Sequence, residues 1–561
     1  MAPHDITTDP SINNGQDEKA VDSLRDVESN EQTKVVDRRD HFADYNEAGL
    51  KRSLGQRQLA FISIGAAIGT GVFLGTGGAL QNGGPLGLFL GYLVMATVII
   101  SVLCCVGEMV AYLPVSGGHL TLAGRFVDPS FSAAASWNYW LCWCLVQCAE
   151  ISAAATLVGY WRPDINPGIW TAIFLVFILA VNVMGVKWYG EVESYFVLIK
   201  LVTIVGLVIT GIVISAGGAP NKTSIGFRFW RNPGPLVQYK GIDGSTGRFL
   251  GFFSVLMQAA FSQIGSEMLA LAAAETRNPR KALPMALNTV WIRISLFYLT
   301  SVFVIGITVS STDPRLGSGG TAAASPFVIA IKDAGIRALP SIINAAILTS
   351  ALSAGCADLF TVSRAAHSLA RKGMAPKIFA YTTKHGIPLW AMLISWLMAF
   401  LSFLSINNGS SKAFTFFVNL TSISGIITWL VIAITFIRFH AGMKAQGLSR
   451  EMLPWKTPGN LTIFMAWWVV FMISIVCIFS GWTSLRQWDP SGFFSTYTPI
   501  GWFVIFFVLF RLMWRTKFVR AEEMDFVSGL AQIEQDAKDC DLEDEINRPH
   551  TAWGRFKRWW G

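Results

Sequence analysis

Long apolar blocks separated by short polar connections fill the 561-residue chain from residue 57 to residue 515. Each block is about 20 residues long, the length that an α-helix needs to cross the hydrocarbon of a bilayer. The pattern therefore predicts an all-α integral membrane protein with twelve transmembrane helices. The predicted spans are residues 57–80, 86–112, 131–160, 168–187, 194–216, 249–273, 287–310, 340–364, 388–407, 413–438, 462–482 and 497–515. Residues 325–335 are apolar but too short to cross, so they predict a helix in an outer loop.

Composition and charge agree with a multi-pass membrane protein. Hydrophobic residues make up 52% of the chain and charged residues only 14%, about half the usual charged share of a soluble protein. The net charge of +8 comes from basic residues in short loops, where they orient helices and meet lipid headgroups, so no nucleic-acid partner is predicted. With the N-terminus inside, inner loops and flanks carry twenty Lys and Arg and outer ones eleven. This bias predicts that both termini are cytoplasmic.

The domain organisation follows from these blocks. Residues 1–50 carry twelve acidic and five basic side chains with almost no apolar periodicity, which predicts a disordered cytoplasmic tail. Residues 51–515 form the predicted transporter domain, and residues 516–561 form a cytoplasmic C-terminal tail. The basic, tryptophan-rich stretch Arg555 to Trp560 fits either a segment on the membrane surface or a solvated tail.

The first span contains a run of glycine between Ser63 and Leu80. Six of these eighteen residues are glycine, whereas a helix that only crosses lipid uses residues that hold a helix better. Clustered glycine allows a helix to open, and free backbone groups are tolerated at membrane depth only inside protein or beside a wet cavity. The run therefore indicates a binding site at an opened helix, or close packing through small-residue pairs such as Gly71/Gly75.

The sixth span shows a second interruption, in the segment Phe261 to Glu267. Gly251 and Gly265 weaken this helix, and polar side chains follow Phe261 directly. The second interrupted helix comes five spans after the first. Because five is an odd number, the second half of the protein would lie inverted in the membrane. Interrupted helices at matching positions of two inverted halves are typical of a transporter site. The pair of breaks favours a binding site over packing alone.

Three motifs carry a family resemblance: GAAIGTGVFLGTG at 65–77, GEMVAYLPVSGG at 107–118 and SEMLALAAAETRNPRKALP at 266–284. Together they resemble the fungal, yeast-type amino-acid permeases of the amino acid–polyamine–organocation superfamily, over about residues 50–520. The resemblance implies a leucine-transporter-type fold, a 5+5 inverted repeat plus two extra helices. Repeat one would cover about residues 57–216, repeat two about 249–438, and the extra helices about 462–515.

The resemblance also implies a substrate site. In such relatives the carboxylate and amino group of an amino acid meet the unwound backbone of the first and sixth helices. Phe261 resembles the aromatic gate over the bound substrate. The matching substrate-binding positions are Ile68, Gly69, Thr70, Gly71, Phe261, Ser262, Gln263 and Ile264.

Ionisable residues inside predicted spans are costly, and each is a functional hypothesis. Lys200 either reaches the inner headgroups or lies buried and gains and loses a proton. The resemblance to proton-coupled relatives favours proton coupling. Glu150 and Glu267 are predicted to bind substrate or to take part in proton transfer, with a structural carboxyl as the alternative. Arg293 and Asp358 fit either a pair with each other or two structural side chains, and neither is predicted to be a ligand.

Two possible glycosylation sites and one group of charged residues near the inner helix ends are further candidates. Asn221 and Asn408 begin sequons that fall outside in the predicted orientation, where glycosylation can occur. Glu108 and Glu275 stand near inner helix ends beside Arg277, Arg280 and Lys281, which fits a salt-bridged inner gate or ordinary loop anchoring.

No enzyme signature is present in the sequence. A GxxxxGK[ST] motif, a metal-ligand cluster and a catalytic triad are all missing. No ATP, metal or other cofactor is therefore expected, and transport would draw on the proton gradient. Seven of the eight cysteines fall in apolar segments, which predicts packing rather than a disulfide framework.

These features lead to one functional prediction and one alternative. The chain is predicted to be a multi-pass plasma-membrane permease that takes up amino acids with protons by alternating access. The alternative is a non-transporting amino-acid sensor of the same fold, which would be expected to carry a long signalling domain. Predicted partners are amino acids, protons, the lipid bilayer, and ubiquitin-dependent trafficking machinery acting on the tails, at Lys19 or Lys34.

Overall fold

The computed structural model describes the chain from residue 69 to residue 546 with several gaps. The described residues are 69–115, 117–268, 280, 283, 284, 287, 294–317, 325–383, 386–407, 410–486 and 488–546. Several earlier predictions fall on residues outside this set: the N-terminal tail with Lys19 and Lys34, Ile68, Glu275, Arg277, Lys281, Arg293, Asn408, and Arg555 to Trp560. "Inner" and "outer" below refer to the predicted orientation.

The described residues are helical and contain no strand. The main helices are α1 (Thr76–Tyr112), α2 (Gly118–Phe126), α3 (Pro129–Val158), α4 (Pro167–Val183), α5 (Val186–Ala216), α6 (Gly244–Gln263), α7 (Thr300–Thr308), α8 (Leu339–Arg371), α9 (Leu389–Met398), α10 (Ser410–Ala445), α11 (Leu461–Phe479), α12 (Pro490–Trp514) and α13 (Leu530–Ile546). A π-helical turn, Gly71–Gly75, leads into α1, and another, Ile294–Leu299, leads into α7.

Helix α1 contains the outer end of the first predicted span and the whole of the second, and α3 to α12 correspond to the third to twelfth spans. The two spans in α1 meet at Gly84, whose φ of 74° only glycine adopts readily, followed by Pro85. A side chain at Gly84 would also lie 2.8 Å from the carbonyl oxygen of Pro235. The predicted twelve-span all-α fold is confirmed, and the short outer helix predicted at 325–335 is present at Pro326–Asp333.

Helix α3 is the centre of the bundle. In the most apolar part of α3, 89% of the residues are buried inside the protein. In the most apolar part of α12, only 17% are buried. Helix α3 packs mainly on α8 and α10, while α1 packs most extensively on α6. Apolar side chains cover the outside of the peripheral helices, as a lipid-facing surface requires.

Helix α3 begins where its sequence supplies a cap. The Asp128 side chain accepts a hydrogen bond of 2.6 Å from the Ser130 N–H, and Pro129 opens the helix. The same carboxylate accepts 2.9 Å from Arg511 Nη1 at the inner end of α12. Asp128 therefore ties a peripheral helix to the central one.

The segment after α12 does not simply extend away from the bundle. Phe526 is buried, with its ring 5.2 Å from that of Phe126 in α2 and 5.4 Å from that of Phe439 in α10. Arg125 donates 2.6 Å to the Asp525 carbonyl, and Gln446 donates 2.7 Å to the Met524 carbonyl. The C-terminal segment thus packs against the inner ends of α2 and α10, a contact that the composition of this tail did not predict.

Candidate functional site

The sixth helix is interrupted at the position that the sequence indicates. Helix α6 ends at Gln263, and residues 264–267 form a turn in which Gly265 has a φ of 102°. The described part of the first helix begins at Thr70, directly before the π-helical turn. The two ends lie side by side, because a side chain at Gly71 would come within 2.8 Å of the Ser262 Cα atom.

The structure shows close packing of the two helices at this point. The absence of a Cβ atom at Gly71 lets the backbones of the first and sixth helices approach. Ser262 Oγ is 2.7 Å from the Tyr92 hydroxyl of α1, and it lies 3.1 Å from the Gln258 carbonyl oxygen, to which it donates. The bond to Tyr92 joins the end of α6 to α1, and the bond to Gln258 lies within α6.

The Glu150 carboxylate lies at the start of the outer half of the first helix. Its Oε1 atom accepts a 3.2 Å hydrogen bond from the Thr70 N–H and a 3.0 Å bond from the Thr70 hydroxyl. A helix N-terminus carries unpaired N–H groups and a partial positive charge, so it favours a carboxylate. A side chain at Gly69 would lie 2.8 Å from the same oxygen. The glycine run therefore leaves space for a carboxylate here.

A small cavity lies between the helix breaks and the third and eighth helices. Its volume is about 30 Å³, room for about two water molecules but not for an amino acid. It is lined by Gly69, Gly71, Trp143, Val146, Glu150, Phe261, Ser262, Ile264, Ala354 and Asp358.

Six of the predicted substrate-site residues line this cavity: Gly69, Gly71, Glu150, Phe261, Ser262 and Ile264. Phe261 packs edge to face on Phe414 of α10, with ring centroids 6.3 Å apart. Thr70 is not a lining residue, but it donates two hydrogen bonds to Glu150, which is one. Gln263 is fully buried near the break, and the two polar atoms of its side chain have no hydrogen-bond partner among the described residues.

Glu267 is not among the lining residues. Its Oε2 atom accepts 3.1 Å from the Gly265 N–H and 3.1 Å from the Trp429 indole N–H of α10. The carboxylate thus bonds a freed backbone donor of the break itself and joins it to α10. These contacts are the ones expected if Glu267 is a structural carboxyl.

Four lining residues were not predicted as ligands: Trp143, Val146, Ala354 and Asp358. Trp143 and Val146 precede Glu150 by about two turns and one turn of α3, so helical spacing from Glu150 would have found them. Ala354 and Asp358 stand one turn apart on α8. Asp358 was not predicted as a ligand from the sequence. Its suggested partner, Arg293, lies outside the described residues.

Lys200 lies deep in the bundle rather than at the headgroups. It is only 1% exposed, so it does not extend to the membrane surface. Its Nζ atom is 4.0 Å from Oε1 of Glu193, and Ser353 of α8 donates 2.8 Å to Oε2 of Glu193. Lys200 also interacts electrostatically with Asp358 in the cavity wall. Glu193 was overlooked because the predicted fifth span began one residue after it.

Glu108 bonds the loop before α11 and the first turn of α11. Its Oε1 atom accepts 2.6 Å from Arg450 Nη2 and 2.5 Å from the Thr462 hydroxyl at the start of α11. Arg280, the described member of the predicted basic group, lies 3.9 Å from Glu534 of α13. These contacts match the loop-anchoring alternative at Glu108.

The sequon at Asn221 lies in an exposed outer connection. Its Nδ2 atom donates 3.2 Å to the Asp333 carbonyl at the end of the short outer helix. An exposed loop asparagine is what a glycosylation acceptor requires, so Asn221 stays a prediction.

The chain is similar to permeases along almost its whole length. Residues 58–523 match the model of the family described as amino acid permease. The chain is 38% identical over 520 residues to the proline-specific permease of Emericella nidulans, covering 91% of this chain and 93% of that protein. It is 35% identical to the lysine-specific permease of Saccharomyces cerevisiae, over 92% of this chain and 83% of the relative. It is 34% identical to the dicarboxylic amino acid permease of the same yeast, over 88% and 83%.

A solved structure shares the fold. It is a manganese transporter of Eremococcus coleocola in complex with an aromatic bis-isothiourea substituted compound. The TM-score is 0.53 at 12% identity, over 88% of this chain and 99% of that chain. The described helices and this likeness define a leucine-transporter-type fold with two extra helices. The chain belongs to the amino acid permease family, whose members are transporters rather than enzymes.

Proposed function

We propose that this permease takes up amino acids together with protons across the plasma membrane, with both termini in the cytoplasm. The site would be the cavity between the breaks of the first and sixth helices. The observation that carries the proposal is the bond from the Thr70 N–H to Glu150, because a protein carboxylate there occupies the place suited to a substrate carboxylate.

Substrate binding would exchange one carboxylate for another. As the helices part, the substrate carboxylate takes the Thr70 N–H, and Glu150 turns to the substrate ammonium. Both new contacts are charge-assisted and formed away from bulk water, where such bonds are strong. Phe261 and Phe414 would close the outer side of the site, and the inner side would then open for release.

Proton coupling is assigned to Lys200 with Glu193. Lys200 is buried beside one carboxylate and interacts electrostatically with Asp358 at the cavity. Moving a proton on or off this group changes the charge of the buried cluster and so links protonation to the state of the site. An amino acid and a proton would bind from the outer side and leave on the inner side.

The test is uptake of a panel of radiolabelled amino acids into cells that lack their own permeases. Saturable uptake of a subset, abolished by a protonophore, is expected. Uptake that ignores the protonophore would contradict proton coupling and leave Lys200 a structural residue. An absence of uptake, with surface expression verified, would favour the sensor alternative.

The substrate range is not decided by similarity. Relatives of nearly equal identity are named for proline, lysine and dicarboxylic amino acids. Selection among them must depend on a few residues of the cavity wall.

A further inference from the structure

Among the described residues of the cavity wall, two are acidic and none is basic. Glu150 of α3 and Asp358 of α8 both line it, whereas none of its ten lining residues is Lys, Arg or His. Glu150 Oε2 and Asp358 Oδ2 are buried and have no hydrogen-bond partner among the described residues. Buried carboxylate oxygens without partners are costly, so they favour a positively charged guest.

Lys200 does not balance this charge by itself. It interacts with Asp358, but Glu193 lies 4.0 Å from its Nζ atom and interacts with the same cluster. Among the described residues, the Lys200 ammonium group therefore lies beside Glu193, which is not in the cavity wall, as well as acting on Asp358. A zwitterionic amino acid adds no net charge to this cluster, an acidic one adds a negative charge, and a basic one adds a positive charge. In an interior of low dielectric constant, these differences are large.

Asp358 is buried and lies beside the cavity. Ala354 is one helical turn before Asp358 on the same face of α8, and both line the cavity. The small side chain of Ala354 leaves room next to the carboxyl group, where a long flexible chain can pass. Glu150 is already assigned to the substrate α-ammonium group, which leaves Asp358 for a second cation.

We propose that Asp358 is a specificity-determining residue that receives a positively charged side chain, so that the substrates are cationic amino acids such as lysine or arginine. This inference rests on the proposed site, because it assumes that the α-amino group occupies the Glu150 position. It also predicts that acidic amino acids are excluded, because their side-chain carboxylate would lie beside Asp358 while none of the described lining residues is basic.

The test compares two ligands that differ at the end of the side chain. L-Lysine and L-norleucine share a four-carbon chain, and only lysine ends in an ammonium group. Binding of both is measured on the purified full-length protein in detergent, where no proton gradient exists. The wild type is expected to bind lysine about tenfold or more tightly than norleucine. Asp358→Asn is expected to weaken lysine binding by about tenfold while changing norleucine by less than about threefold.

Two further variants serve as controls. Asp358→Glu keeps the charge and should preserve the preference for lysine. Asp164→Asn makes the same chemical change at an exposed loop position and should leave both affinities unchanged. If Asp358→Asn does not fold, the wild-type preference and Asp358→Glu still decide the question.

Three outcomes would overturn the inference: no lysine preference in the wild type, equal weakening of both ligands in Asp358→Asn, or loss of the preference in Asp358→Glu. Each is separable from failure of the proposed transport. Protonophore-sensitive uptake of neutral amino acids without lysine preference would contradict only the role of Asp358. A lysine preference in detergent without protonophore-sensitive uptake in cells would contradict only proton coupling.

Discussion

Glu150 and Thr70, eighty positions apart in the chain, are joined by two hydrogen bonds to one carboxylate oxygen. The Thr70 N–H donates at 3.2 Å and the Thr70 hydroxyl at 3.0 Å. The pair links the central third helix to the start of the outer half of the first. The Glu150 carboxylate therefore accepts from a backbone donor at the described start of the first helix.

Glu150→Gln is expected to weaken substrate binding, because a neutral amide loses the charge-assisted contact with the substrate ammonium group. The loss of such a bond corresponds to an increase in KM of about tenfold to 100-fold. Uptake kinetics of the preferred amino acid measure it. Glu451→Gln is the matched control, since Glu451 is 83% exposed and lies outside the cavity. A KM within twofold of the wild type would remove Glu150 from the substrate site.

Lys200→Gln is expected to abolish concentrative, gradient-driven uptake while leaving exchange of labelled for unlabelled substrate. Exchange needs the substrate site but no net proton movement, so the two activities separate. Both are measured in vesicles with and without an imposed pH gradient. Lys332→Gln, at an exposed position of the short outer helix, is the control. Proton-driven accumulation that persists in Lys200→Gln would assign coupling to another group.

Gly71→Ala is expected to disrupt the contact between the first and sixth helices. The new Cβ atom would lie 2.8 Å from the Ser262 Cα atom, a backbone atom that cannot move aside cheaply. Overpacking of this kind costs about 1–3 kcal/mol of folding free energy, and it should reduce uptake as well.

Gly78→Ala provides the comparison for Gly71→Ala. A Cβ atom at Gly78 has no neighbour within 4 Å, and alanine is the better helix former. This variant should match or exceed the thermal stability of the wild type. Equal behaviour of the two variants would mean that the close approach at Gly71 is unimportant.

Arg315 joins two acidic residues at the outer surface. It makes two hydrogen bonds to Asp313, at 2.9 and 2.6 Å, and two to Asp333, at 2.8 and 2.6 Å. The hydrogen bonds from Arg315 hold the pKa of Asp313 below its ordinary value of 3.8. Because this pKa is lower in the folded state, the stabilisation is fully present above about pH 4 and is lost as the pH falls through the folded-state value.

Arg315→Gln should therefore lower the melting temperature by about 1–3 °C at pH 6, as loss of partly exposed ion pairs does. The difference from the wild type should shrink below about pH 4. Thermal unfolding in detergent across pH 3 to 7 measures it, with the exposed Arg337→Gln as control. A difference that grows toward acidic pH would contradict this assignment.

Much of the architecture is determined locally and can be derived from the sequence. A stretch of about 20 apolar residues has one stable form in hydrocarbon, because every backbone group must bond within the segment. The twelve spans, the weak points at the glycine run and at Gly265, and the short outer helix all follow from this. The glycine run and the polar residues after Phe261 are local signals of interrupted helices, and the resemblance to the permeases then indicated Gly69, Gly71, Phe261 and Ser262 as site positions.

Only the tertiary structure decided which side chains face one another. Asp358 lines the cavity, Glu267 bonds its own helix break and Trp429, and Glu193 lies beside Lys200. The packing of Phe526 between α2 and α10 likewise joins residues far apart in the chain. Helices hydrophobic all round carry little periodic signal for their orientation, so the sequence determines that a charge is buried, and helix packing determines its partner.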